Sequence, residues 1–378
     1  MGATMATAHV ATANDALLDL LVEKGIVSRA EASALMEEAA KPASRPIVTS
    51  AGTNLSQLRI RGRIQTQFGY TDVRNDNGSG SYSTLEMRRV RLGMQGQLFQ
   101  NVRARMEANF VPGSGFSMRS AYLQWRENEW GYVKVGFDKP TFGYEENTSS
   151  ASILTVERSM ISNIAAPGAQ TGVTLDGKAN ILSYSAGVYN NRPNTNQAGE
   201  SGSYLFGISG GLKLDDMLPE GNKLGLRVDL LKNNDQAGQF GFDEGISVSA
   251  HYQMKAFDIR AEYIRLNEDD DKVQGWYIMP SYFITDKFQA VVRYEEAKSD
   301  DATGIRAASR YARRADGGIL GGGAESGDKY RAIYVGGNYY FAGDAHKLMG
   351  GVELSRLDTA TAGDLKATTV FGAWRMLF

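Results

Sequence analysis

The stretch Leu58-Arg59-Ile60-Arg61-Gly62-Arg63-Ile64-Gln65-Thr66-Gln67-Phe68-Gly69-Tyr70 alternates between two characters. Leu58, Ile60, Ile64, Phe68 and Tyr70 share one parity with Gly62 and Thr66, while Arg59, Arg61, Arg63, Gln65 and Gln67 hold the other. A period of two predicts a strand with one apolar and one polar face. The next apolar run repeats it, with Val90, Leu92, Met94 and Leu98 against Arg89, Arg91, Gln95 and Gln97. Successive arginines on one strand face repel each other unless water, acids or anions screen them. A soluble sandwich would turn that face outward and bury the apolar one. A membrane barrel would do the reverse, because a charge on the lipid side costs about 2–4 kcal/mol at mid-membrane whereas the lumen is wet.

The rest of the chain decides between these. From residue 57 to 378 the alternation keeps returning, and the pattern predicts about sixteen strands, starting with 57–71 and 82–99 and ending with 346–357 and 366–378. The segment 273–284 is mixed on both faces and Pro280 interrupts it. Short turns, expected at 99–102, 127–131, 176–179, 255–256, 285–287 and 343–346, alternate with long polar loops at 72–81, 139–170, 191–202, 233–243 and 299–328. Long loops gathered at one end, an even strand count and short turns at the other end fit an outer-membrane barrel. Val370, Gly372, Trp374, Met376 and Phe378 then alternate to an aromatic carboxy-terminus, which resembles the assembly signal of bacterial outer-membrane barrels.

Composition agrees. The 378 residues are 42% hydrophobic, yet no segment approaches the roughly 18 apolar residues of a spanning helix. Basic and acidic residues nearly balance, 41 against 43, so only their distribution is informative. There is no cysteine, which removes disulfides, thiolate metal sites and cysteine nucleophiles. Residues 1–13 read as a signal remnant or a plain tail, with Ala11-Thr12-Ala13 in small-x-small form. Residues 14–41 differ from everything after them. Leu17, Leu18, Leu20 and Leu21 precede Gly25, and Ser28 with Glu31 forms a capping box for a second helix. A helical hairpin this small needs a partner; it is expected on the periplasmic side, against copies of itself, peptidoglycan or another periplasmic component. Residues 42–56 read as a linker, and 57–378 as the barrel.

Two segments carry a family resemblance. Met87-Arg88-Arg89-Val90-Arg91-Leu92-Gly93-Met94-Gln95-Gly96-Gln97-Leu98-Phe99 resembles the RRxRLGxxGxLF segment of the phosphate-selective porins O and P. The run from Val135 to Ser150, followed by Glu157-Arg158-Ser159, resembles the same family's inner-loop motif, although Thr141 separates Pro140 from Phe142 where the family has Pro-Phe-Gly. The resemblance implies a sixteen-stranded homotrimeric porin whose third external loop folds into the pore, and the 139–170 loop follows the fifth strand as required. It also implies an arginine-lined, anion-attracting lumen.

The residues themselves agree for the first five strands. Inward positions carry Arg59, Arg61, Arg63, Arg89, Arg91, Arg103, Arg105, Arg126 and Lys134 against Glu107 and Asp138, and a narrow low-dielectric tube focuses such a field. Lys139, Glu145, Glu146, Glu157 and Arg158 are the charged residues of the expected constriction loop, Lys139 and Arg158 at matching motif positions. Enzyme chemistry is not expected: His9, His251 and His346 are the only histidines, and no nucleophile motif has the right context. Nor is a cofactor, a metal or nucleic acid. Glu268-Asp269-Asp270-Asp271 reads as a solvated tip or a Ca²⁺ loop; Arg306, Arg310, Arg313 and Arg314 read as a solvated stretch or one that dips toward the mouth or meets lipopolysaccharide phosphates. The expectation is an all-β outer-membrane channel for small anions, phosphate and polyphosphate being candidates, in contact with outer-membrane lipid and lipopolysaccharide. Its rival is a structural envelope protein whose barrel anchors the helical hairpin.

Overall fold

In the computed structural model the alternation closes into a cylinder. The structure describes residue 24 and residues 55–378, apart from 127, 129, 192–202, 235–239, 307–309, 317–325 and 362. The hairpin expected over 14–41, the tail before it and nearly all of the 42–56 linker lie outside the described residues.

Sixteen antiparallel strands make the wall: β1 (Leu55–Asn75), β2 (Gly78–Leu98), β3 (Val102–Asn109), β4 (Ser117–Arg126), β5 (Tyr132–Asp138), β6 (Gln170–Ala179), β7 (Leu182–Tyr189), β8 (Leu205–Lys213), β9 (Asn222–Asn233), β10 (Glu244–Met254), β11 (Phe257–Glu268), β12 (Asp271–Thr285), β13 (Phe288–Ser299), β14 (Ser326–Ala342), β15 (His346–Thr359) and β16 (Asp364–Leu377). Each pairs with the next, and β16 returns to β1, so no edge remains. A two-residue fragment, Ile305–Arg306, adds to β14. At the seam, Gly62 and Phe378 exchange backbone hydrogen bonds of 2.7 and 3.2 Å. The Phe378 ring lies against Gly62, where any Cβ would collide with it.

The structure moves two expected boundaries. Residues 72–81 are strand rather than loop, because β1 and β2 run on to a two-residue turn at 76–77. Beyond the apolar band a strand needs no apolar outer face, so Asp72, Arg74, Ser81 and Ser83 give no hydrophobic signal. The turn expected at 176–179 lies at 180–181, with Asn180 in the left-handed region at φ 53°. At Pro280, which has no N–H to donate, the β12–β13 pairing lapses between Ile278↔Tyr294 and Ser281↔Val291.

The two faces separate as alternation requires. Ile64, Phe68, Met94, Val228, Val352 and Trp374 are exposed on the outside, while Gln65, Gln67, Asp229, Arg293 and Arg375 are buried on the inside. Inner residues are buried because connections fill part of the lumen. The 139–169 connection folds inward with two short helices, α1 (Tyr144–Asn147) and α2 (Met160–Ile164). A third, α3 (Arg310–Asp316), belongs to the connection after β13 and packs on β1 and β2. The long-loop end therefore contains packed apolar clusters. One joins Phe142 and Ile161 of the inner loop to Phe240 and the inner faces of β8, β9, β11 and β12. Another joins α3 to Met160 and the inner faces of β1 and β13–β16.

Candidate functional site in the barrel lumen

The inner loop is held at successive points around the wall, and the sign of each wall group matches the loop group it meets. Near its start, loop N–H groups point at carboxylates: Gly143 donates to Asp229 at 2.9 Å, Tyr144 to Glu262 at 2.6 Å and Glu145 to the same carboxylate at 3.1 Å. Met160, opening α2, donates to Glu295 at 2.6 Å. Between them, loop carbonyls accept from donors on β14–β16. Asn338 reaches Leu154 at 2.9 Å, Lys347 reaches Ile153 at 3.2 Å and Arg375 reaches Ala151 at 3.1 Å. Arg293 is a hub, donating to Thr155 at 3.0 Å and to the Glu157 carbonyl at 2.9 Å. Its guanidinium also lies 3.1 Å from Glu295, 3.2 Å from Glu353 and 3.6 Å from Glu145. Charge-assisted contacts of this kind are stronger than neutral ones, so the loop is a fixed part of the lumen.

This loop lies against β9 to β16 and faces the cationic wall. Arg63 and Arg91 are direct cross-strand partners. Both donate to Ser150 at the loop tip, Arg91 at 3.2 Å, and Arg63 also reaches Ser149 at 3.3 Å. Arg105 pairs with Glu107 at 3.0 Å, while Arg91 is 3.8 Å from that carboxylate. The Nε–H groups of Arg63, Arg91 and Arg119 are buried without a hydrogen-bond partner. Arg59 and Arg103 are half-buried and Arg61 is exposed on the same face. Lys134 is neutralised by Asp138 at 2.9 Å, and Arg126 lies at the short-turn end over the Tyr132 ring.

The remaining expected residues are more enclosed. Arg89 is 5% exposed and donates to Gln65 at 2.8 Å, so it is covered rather than open to the lumen. Glu145, 2% exposed, turns away from the path and accepts from the Ser159 N–H and hydroxyl at 2.9 and 2.7 Å. Glu157 forms a bidentate pair with Arg88 at 2.8 and 3.1 Å and accepts from Gln67 at 2.8 Å. Burial opposes its charge, but the Arg88 guanidinium and Gln67 outweigh that and hold the carboxyl well below the usual range. Lys139 and Arg158 both meet Glu146, and Arg158 donates to the carbonyls of Glu145 at 2.9 Å and Thr148 at 2.8 Å. Burial pushes the Lys139 ammonium down to about 8, with Glu146 opposing and Arg158 and Arg119 reinforcing the shift.

Arg88 and Arg119 were absent from the expected set. Alternation puts Arg89 and Arg91 inward and so assigns Arg88 to lipid. A register break between Gln65↔Arg89 and Thr66↔Met87 inserts Arg88 as an extra residue, which turns it inward beside Arg89. Arg119 is the extra residue of a second break, between Glu107↔Ser120 and Ala108↔Met118. The signal available in sequence was energetic: a lone arginine at a lipid-facing position is costly, so its parity had to change.

A family model described as phosphate-selective porin O and P matches residues 58–352. Among solved structures, the fold is similar to a loop-deletion form of OmpT, an outer membrane protein of Vibrio cholerae, with TM-score 0.60 and 12% identity over 85% of this chain and 99% of that one. It is similar to an anion-selective porin from Comamonas acidovorans, with TM-score 0.58 and 14% identity over 85% and 99%. The trimer form of in-vitro folded V. cholerae OmpT aligns with TM-score 0.54 and 12% identity over 85% and 99%. No curated protein matches the sequence.

Proposed function

Because the chain belongs to the phosphate-selective porin O and P family, we propose that its lumen conducts small anions along the wall formed by β1–β5, with phosphate-sized oxyanions among them. The protein is a bacterial outer-membrane porin, a channel for passive diffusion; fold and family are those of a channel and not of an enzyme. The supporting observation is the convergence of Arg63 and Arg91 on Ser150 of the inner loop, with Arg119 adding its charge beside them. Glu107 is the carboxylate that pairs with this wall through Arg91 and Arg105. Clustered like charge in a low-dielectric tube repels cations and favours anions. In a wide pore such a field decays over about 8 Å at physiological salt. Here the inner loop reaches the arginines and so narrows the lumen beside them, which keeps the field close to whatever passes.

The test is a single-channel recording in a salt gradient. Wild type is expected to show an anion-selective reversal potential with phosphate reducing chloride current. Replacing Arg63, Arg91 and Arg119 together by Gln is expected to move that potential toward cations by about tenfold in permeability ratio, the equivalent of about 1.4 kcal/mol. Cation preference in wild type would defeat the proposal, and anion preference without phosphate block would reduce it to a general anion channel.

Trimer assembly is part of the same proposal, supported by the trimer form of OmpT, as is lipid or lipopolysaccharide contact around the exposed apolar face. The rival, a structural anchor, draws support from the apolar clusters that fill much of the long-loop end. An anchor would show no conductance.

A further inference from the structure

A porin's inner wall is polar because it meets water. At the extracellular ends of β1 and β14–β16 it is apolar instead: Val73, Tyr330, Leu357, Leu365 and Ala367 point inward and are buried. Their cover is Ile305 and the α3 residues Ala312 and Ala315, joined by Met160 of the inner loop. The wall is shaped for that cover. On β1, a Cβ at Gly69 would stand 2.5 Å from the Tyr311 ring, and on β2 one at Gly80 would stand 2.6 Å from the Ala315 carbonyl oxygen. Neither glycine has a positive φ, so the backbone does not require glycine there; the approach of α3 does. Tyr311 completes the seat. Its hydroxyl accepts from Gln67 and donates to Glu86, both at 2.8 Å, and its ring packs 6.4 Å from Tyr82 and 6.0 Å from Phe371. Arg314 remains exposed above Tyr82, donating to its hydroxyl at 3.0 Å.

We infer that α3 is a second, fixed constriction of the channel, placed above the arginine wall, and that it sets the size limit at the extracellular entrance while the arginines set charge preference. The inference rests on the reading of the lumen as a conduit. The two levels are distinct: α3 reaches down as far as Gln67 through Tyr311, whereas Arg63 pairs with Arg91 four residues lower on β1, roughly 13 Å away at about 3.3 Å per residue. At the upper level Arg314 lies 4.0 Å from Glu86, so these two charges offset each other. Exclusion there is steric.

The experiment unseats α3 from either side, with Gly69→Val on the wall and Tyr311→Ala on the helix. Each purified, folded variant is compared with wild type by single-channel conductance and by swelling of liposomes in neutral sugars of increasing size. The expected result is a conductance at least twofold higher, entry of sugars that wild type excludes, and an unchanged sign of reversal potential. Wild-type conductance and size limit in folded Tyr311→Ala would overturn the inference, as would a reversal-potential shift without a change in size limit; if Gly69→Val fails to assemble, Tyr311→Ala alone decides. A wild-type protein that carries no current at all would instead defeat the conduit reading.

Discussion

Lys139 is a lumenal cation whose charge changes within the working range of pH. Burial lowers it from 10.5 to about 8, and Arg158 and Arg119 act in the same direction. Below about 8 the ammonium adds to the arginine field, and above it the charge is lost. Anion preference is therefore expected to weaken as pH rises from 7 to 9, and Lys139→Gln is expected to flatten that profile, as read from reversal potentials. The stability linkage has a definite sign. The folded chain binds this proton less tightly than the unfolded chain, so Lys139 makes its contribution more favourable as pH rises from about 8 to 10.5. Arg293 is different in kind. It is 1% exposed and gathers Glu145, Glu295 and Glu353. Arg293→Met would leave these carboxylates crowded without their cation, and losses of about 3–5 kcal/mol follow when one partner of a buried ion pair is removed. Urea unfolding of the detergent-folded barrel would measure it.

At the scale of elements, alternation read the strands and misread the places where it breaks. All sixteen strands were legible because lipid on one side and a lumen on the other force a period of two on each strand independently. Turn positions at 99–102 and 255–256 were legible for the same reason, since the alternation stops there. A bulge is silent by comparison. One inserted residue at Arg88 and another at Arg119 reverse parity locally, and nothing in neighbouring side chains announces it. The inner loop was legible from its length and its motif. Its anchors were not, because Asp229, Glu262, Glu295 and Arg375 look like ordinary inward charges until the loop is laid across them.

Across the whole molecule, closure depends on the β1–β16 seam. Deleting Phe378 removes both backbone hydrogen bonds to Gly62 and the ring that covers it. At about 0.5–1.5 kcal/mol per bond the expected loss is about 1–3 kcal/mol. It should appear as a smaller fraction of compact, heat-modifiable barrel on cold electrophoresis, and an unchanged fraction would show that the seam does not depend on its last residue. The lumen has two functional levels in this arrangement. The lower is an electrostatic wall facing a fixed loop, and the upper is a packed plug of apolar contacts. A solute meets the size restriction before the charge restriction.

The sequence by itself determined the wall: strand number, the antiparallel order, the parity of most strands away from their bulges and the gathering of arginines on the first three strands. Each of these follows from what a single residue meets, lipid or lumen, and so is written locally. Which lumenal charges remain open was decided only by tertiary structure. Arg63 and Arg91 are half-buried and Arg89 is covered, although all three share one face, because cover comes from segments distant in the chain. Gln67 and Tyr311 are 244 positions apart and share a 2.8 Å hydrogen bond. Contacts of that range impose no period on either partner, and so leave no pattern in the sequence around them.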